Sequence, residues 1–172
     1  VISHANPSFW HPAKRNKSDE IIKELSNNNG MLGFSLYPHH LNNSTQCSLE
    51  DFCSMIARTA DLIGIDHIGF GSDLCQDQPD SIVEWMRVGK WTKEIDYGEG
   101  SASNPGFPDM PGWFRDNRDW HNIIEGLQKH GFSNDEITQV KKCIKSGIVS
   151  TAGKEVSLFE KKLAKYTNSK FV

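Results

Sequence analysis

The sequence predicts an α/β chain of about three strand–helix units whose strands lie parallel. Three observations carry this. Short apolar runs recur at 1–4, 31–37 and 65–73. Segments with helical apolar spacing and clear stop signals separate them. Consecutive strands joined by helices pair in parallel, through right-handed crossovers.

Val1-Ile2-Ser3-His4 reads as the end of a strand, with His4 at its C-terminal tip. The loop after it contains Pro7 and Pro12, which deny it helix or ladder structure, and Arg15 and Asn16 close it. Ser18 stands where it can cap a helix whose first turn carries Asp19 and Glu20, the right sign for the helix dipole. Ile21, Ile22 and Leu25 form its apolar stripe, and Asn27 to Gly30 stop it. Met31 to Tyr37 is a second buried strand, ended by Pro38, with His39 and His40 in the following loop. Ser48 and Asp51 match a capping box. They open a helix with Phe52, Met55, Ile56, Ala60 and Ile63 on one face, stopped by Gly64. The third strand enters at Ile65 and leaves in Gly71-Ser72-Asp73.

Residues 79–91 read as a helix bearing Ile82, Val83, Trp85 and Met86. Tyr97 to Gly112 then holds four glycines and three prolines, and a long irregular insertion in a compact domain is usually functional, or else disordered. Phe107, Trp113 and Phe114 argue for an ordered lid; the plainer alternative is core under a loop. Asp119 stands to cap a helix from Trp120 to His130, closed by Gly131. Ser133 to Glu136 is another capping box, for a helix with Ile137, Val140 and Ile144. Val156, Leu158, Phe159 and Leu163 give the tail from Lys154 to Lys165 helical spacing. The expected organisation is strand–helix units over 1–78, a helix and Gly/Pro-rich lid over 79–119, and C-terminal helices over 120–172.

The 172 residues suffice for one domain with a core. A formal net charge of -3 makes no electrostatic case for nucleic acid or anionic membrane. No apolar run is long enough to span a bilayer and no signal-peptide pattern is present, so the expected setting is cytoplasmic. The start at Val1, in what reads as mid-strand, suggests a piece of a longer chain. Cys47, Cys53, Cys75 and Cys143 form no C-x-x-C pair and read as buried or free thiols.

In α/β barrels, chemistry gathers at the C-terminal ends of the strands. His4 and Asp73 both stand at such ends. An imidazole suits zinc, and a carboxylate beside bound water can act as general base. Arg15, on the loop after His4, suits a bidentate hold on a carboxylate. Each has a plainer reading. A lone strand-end histidine is commonly a hydrogen-bonded structural residue, Asp73 could cap the next helix or close an Asx turn, and Arg15 could be a solvated surface residue. His39 and His40 could form a metal pair, although adjacent loop histidines seldom face the same way. His67 reads as a strand histidine in the core with a satisfied ring.

Ser3-His4-Ala5-Asn6, Arg15-Asn16 and the run from Asp66 to Asp73 together resemble the membrane dipeptidase family of zinc metallopeptidases. The likeness is specific over 1–73 and looser to about residue 147. It implies the C-terminal portion, about three β/α units, of a TIM-like (β/α)8 metal-dependent hydrolase barrel. Such enzymes hold two zinc ions in the barrel mouth and cleave dipeptides or related small amides. By the resemblance, His4 would be a zinc ligand, and Arg15 would bind the substrate's C-terminal carboxylate. Tyr37 and His40 would lie on the substrate side, and Asp73 would handle the proton of the attacking water. The family's other metal ligands belong upstream of Val1, so the upstream half of the barrel, in the same or a companion chain, is an implied partner. Open edges on the first and third strands could also pair with another copy of the chain. The sequence departs from the family at Leu74-Cys75-Gln76. That departure, with the absent upstream ligands, motivates the rival expectation of a non-catalytic, barrel-derived binding or interaction module.

Overall fold

The computed structural model describes residues 1–74, 81, 109–138, 161–166 and 168. The chain forms two compact units, Val1–Phe132 and Ser133–Val172.

In the first unit, three segments run parallel and side by side. Strand β1 (Leu32–Phe34) lies in the middle. Strand β2 (Ile68–Phe70) pairs with it, Leu32 opposite Ile68, Gly33 opposite Gly69 and Phe34 opposite Phe70. On the other side the chain around Ile2 bridges to Leu32. Ile2 N–H donates to the Met31 carbonyl at 2.9 Å, Gly33 N–H to Ile2 at 2.8 Å, and Ala5 N–H to Gly33 at 3.2 Å. The expected parallel order is present, but the strands are shorter than the apolar runs. The first segment contributes a bridge, not a full strand. Ser35 to Tyr37 leave the ladder, and Ile65–His67 form a 3-10 turn. His67 therefore sits in a turn, where its Nδ1 lies 2.9 Å from the Gly30 carbonyl; the ring is satisfied, but not within a strand.

Helix α1 spans Asp19–Asn27. Ser18 occupies its N-cap position without a side-chain cap bond. Of the expected stripe, Ile22 is buried, Leu25 half-buried and Ile21 exposed. Helix α2 spans Leu49–Ile63 and buries Phe52, Cys53, Met55, Ile56, Thr59 and Ile63. Only half of its capping box forms. Ser48 Oγ accepts the Asp51 N–H at 3.1 Å, while the Asp51 carboxylate accepts from Asn42 Nδ2 at 2.9 Å and so ties the preceding loop to the helix. Cys47 and Cys53 are free and buried. Burial pushes both thiols up to about 12, which leaves them unreactive near neutral pH.

Helix α3, Trp120–Lys129, buries Trp120, Ile123, Gly126 and Leu127, one face at helical spacing. It approaches α2 at Gly126, where a Cβ would lie 2.6 Å from Cys53 Sγ and 3.2 Å from Leu49. Asp119 stands before α3 but does not cap it. Its carboxylate accepts the Arg115 N–H at 2.9 Å, an upstream donor that competes for the same oxygen.

Ring contacts join these layers. They run from Trp10 to Phe52 (6.1 Å), Phe52 to Trp113 (5.2 Å), Trp113 to Phe114 (6.3 Å) and Phe114 to Trp120 (5.0 Å). They continue from Trp120 to Phe70 (5.2 Å) and Phe70 to Phe34 (6.1 Å). Trp113 and Phe114 thus belong to the aromatic core, and Trp113 Nε1 donates to the Cys47 carbonyl at 2.7 Å. Residues 97–108 of the expected lid, Phe107 among them, the expected helix over 79–91 apart from Ser81, and Cys75 and Cys143 lie outside the described residues.

In the second unit, Ser133 N–H donates to the Glu136 carboxylate at 2.6 Å and Glu136 N–H returns to Ser133 Oγ at 3.3 Å, a complete capping box. Residues 161–166 are helical. Val140, Ile144, Val156, Leu158 and Phe159 lie outside the described residues. Among the described residues no helix is long and apolar enough to cross a membrane.

Candidate active site

His4 and Asp73 each follow one of the two outer segments of the sheet, at its C-terminal end. Both adopt left-handed backbone conformations, with φ of 43° and 57°. Such a conformation costs a non-glycine residue on the order of 1 kcal/mol, and it clusters where function holds the chain. The loop that ends in Asp73 is brought against His4 by Gly71. A Cβ at Gly71 would lie 2.6 Å from Ser3 Oγ and 2.8 Å from the His4 nitrogen. The first and third segments therefore meet over Gly33 of the middle strand, which also has no side chain. Inward-facing residues of alternate strands pack against each other in this way when a sheet curves. Two further backbone bonds carry β2 toward Asp73: Gly71 N–H to Phe34 at 3.0 Å and Leu36 N–H to Ser72 at 3.2 Å.

The His4 imidazole is half-buried, with Nδ1 2.9 Å from Ser3 Oγ. The Arg15 Nε donates to the His4 carbonyl at 3.3 Å. The exposed carboxylate of Asp73 has no hydrogen-bond partner among the described residues.

Behind these groups lies a polar frame that the sequence reading assigned no role. Asn6 is fully buried. Its side chain accepts the Ser35 N–H at 3.0 Å and donates to the carbonyls of Ser35 and His40 at 3.2 and 3.0 Å. The Asn16 side chain accepts the Asn6 N–H at 2.8 Å and donates to the carbonyls of His11 and His40 at 2.8 and 3.2 Å. The loop that carries Arg15 is thereby fastened to the exit of β1. A signal for this was present: an asparagine buried beside a strand end must satisfy its amide on backbone groups nearby.

Pro38–His40 form a 3-10 turn at that exit. His40 is buried and His39 half-buried, and their rings flank the buried Tyr37 at 5.0 and 5.4 Å. The two histidines do not act as a pair. The His40 Nδ1 lies 2.8 Å from Ser35 Oγ. Burial pushes the His40 imidazole down to about 4, with the Arg15 charge adding to the effect.

A stability prediction arises here. The unfolded chain titrates this histidine near 6.5 and the folded chain near 4, so on acidification the unfolded state takes the proton first. His40 therefore favours the fold fully above about pH 6.5, and that contribution falls as pH drops toward 4, by at most about 1.4 kcal/mol per pH unit. Denaturant unfolding at pH 7 and pH 4.5 measures it, and His40→Phe should flatten the dependence in that window.

Among the described residues no three His, Cys, Asp or Glu side chains converge as a metal site. The His4 ring suits a metal ligand: its Nδ1 lies against the Ser3 hydroxyl, which fixes the ring and leaves Nε2 to ligate. The structure thus brings His4, Arg15, Tyr37 and His40 to one end of the sheet, with the Asp73 loop against His4.

The sequence model for membrane dipeptidases, peptidase family M19, matches residues 1–95. Dipeptidase aclJ of Aspergillus oryzae is 36% identical over 75 residues, and dipeptidase ataJ of Aspergillus terreus is 35% identical over 78. Each alignment covers 42% of this chain and 18% of the relative. An amidohydrolase from Pseudomonas aeruginosa superposes with a TM-score of 0.63 at 25% identity, over 78% of this chain and 39% of the other. Two further structures share the fold at lower identity. Dipeptidase AC, a metallo peptidase of family M19, gives 0.55 at 17%, over 78% of this chain and 31% of its own. A metallo peptidase from Rhodobacter sphaeroides, liganded with a phosphinate mimic of L-Ala-D-Ala, gives 0.54 at 18%, over 78% and 30%. The chain spans less than half the length of each of these proteins.

Proposed function

The chain belongs to the membrane dipeptidase family, peptidase family M19, and from that membership we propose that it supplies the C-terminal part of a zinc-dependent dipeptidase site on a (β/α)8 barrel. The substrate is a dipeptide or a related small amide. The observation that carries this reading is the approach of Gly71 to Ser3 and His4, which sets the Asp73 loop beside a histidine fit to ligate metal.

Each residue has a distinct task. His4 would hold zinc through Nε2, with Ser3 on Nδ1 fixing the ring. The complete site would hold two zinc ions, with the remaining ligands supplied by a preceding segment of the same protein or by a companion chain. Bound zinc supplies Lewis acidity and lowers the pKa of water at the site. Among the described residues Arg15 bonds the His4 carbonyl through Nε, and its two terminal nitrogens would hold the substrate's carboxylate. Tyr37 and His40 line the substrate side. The Asp73 carboxylate, without a hydrogen-bond partner among the described residues, takes the proton of the attacking water and delivers it to the leaving amine.

The test compares the 172 residues alone with the complete protein. Alone, with zinc, the chain shows no dipeptide hydrolysis, and its outer strand edges pair with another segment or another copy. Hydrolysis returns when the upstream portion is restored. A monodisperse monomer of these residues with bound zinc and turnover contradicts the proposal.

A further inference from the structure

We infer that Ser35 is a positioning residue that holds His40 as a neutral Nε2–H donor beside Arg15, where the two together receive the substrate's carboxylate. This rests on the dipeptidase reading and goes beyond it by assigning Ser35 a role and His40 a tautomer.

Ser35 is fully buried. Its backbone N–H and carbonyl are both taken by the Asn6 amide, so its position is set from two sides. Its hydroxyl oxygen has two partners. The Tyr37 N–H donates to it at 3.2 Å, and His40 Nδ1 lies at 2.8 Å. An N–H can only donate, so the Tyr37 bond occupies an oxygen lone pair and the hydroxyl hydrogen remains to be placed. Among the described residues His40 Nδ1 is the acceptor within reach of it. Nδ1 is then the acceptor nitrogen of the imidazole, and Nε2 carries the hydrogen.

Nε2 has no protein hydrogen-bond partner among the described residues, and it is not sealed away; the enclosed, unpaired side-chain nitrogen found there is Trp10 Nε1. The Tyr37 ring, 5.0 Å away and edge-on, limits rotation of the imidazole. The His40 carbonyl is held by the amides of Asn6 and Asn16, and Asn16 follows Arg15 directly. Imidazole and guanidinium are therefore mounted on one frame. The lowered proton affinity of His40 keeps the ring neutral at working pH. A neutral N–H beside a guanidinium presents donors only, and its natural complement is an acceptor-only anion such as a peptide's C-terminal carboxylate.

Two measurements on the complete, zinc-loaded protein test this. Long-range ¹⁵N correlation spectra of its histidines should show His40 with hydrogen on Nε2 and none on Nδ1; hydrogen on Nδ1 overturns the inference. Calorimetry then compares a phosphinate dipeptide mimic as the free acid and as the C-terminal amide. Ser35→Ala should reduce the preference for the acid about tenfold, the scale of one hydrogen bond to a charged group, and Ser35→Thr should restore it. If Ser35→Ala does not fold, His40→Phe takes its place with the same expected loss. An acid preference unchanged in a folded variant overturns the inference while the dipeptidase reading stands. If neither form binds the wild type, the dipeptidase reading falls and this one falls with it.

Discussion

Asp73→Asn in the complete, zinc-loaded protein should lower kcat for dipeptides by about 10²- to 10⁴-fold, the range for removal of a positioned general base, with little change in KM. Asparagine is the informative replacement. It keeps the size of the side chain and tolerates the left-handed backbone at φ 57°, so the turn should survive. What it loses is the ability to take a proton from water. A fall in kcat and kcat/KM together would mark an interaction made only in the transition state. Unchanged turnover would remove Asp73 from the mechanism and favour its plainer role as a turn residue.

Gly71→Ala should damage the site through sterics alone. The added methyl would lie 2.6 Å from Ser3 Oγ and 2.8 Å from the His4 backbone nitrogen. The hydroxyl can rotate away, but then His4 Nδ1 loses its partner, and the backbone nitrogen can yield only by shifting the strand end. Overpacking of this kind costs about 1–3 kcal/mol, and loss of the bond behind a metal-bound histidine typically costs about 10- to 100-fold in metal affinity. Denaturant unfolding and zinc titration of the complete protein read the two effects separately. A variant with native stability and native zinc affinity would show that the close approach of the outer segments is not needed to hold His4.

Much of the fold was legible because it is written locally. Helix α2 carries its own start at Ser48, its stop at Gly64 and an apolar face between them, and α3 likewise ends where Gly131 follows. Strand lengths were not legible in this way. The apolar run beginning at Ile65 could not disclose that Ile65–His67 turn before pairing starts, because pairing depends on β1, more than thirty residues earlier. Caps misled where a second donor competed, as Arg115 does for Asp119. For the candidate site, His4 and Asp73 stood out by their place after apolar runs and Arg15 by its place on the loop after His4. Asn6, Asn16 and Ser35 were seen only as motif or strand residues. Asn6 and Asn16 bond backbone groups distant in sequence, Asn6 to His40 for example, so the need to satisfy their amides was a signal while the partners were not, and Ser35 bonds within its own turn.

Zinc content of the complete protein and of its His4→Ala variant, measured by elemental analysis after extensive dialysis, decides whether this chain holds metal. The wild type should retain two zinc ions and the variant should lose at least one while remaining folded by circular dichroism. A folded His4→Ala protein with the zinc content of the wild type would show that His4 is not a ligand, and that the metal site, if there is one, lies elsewhere.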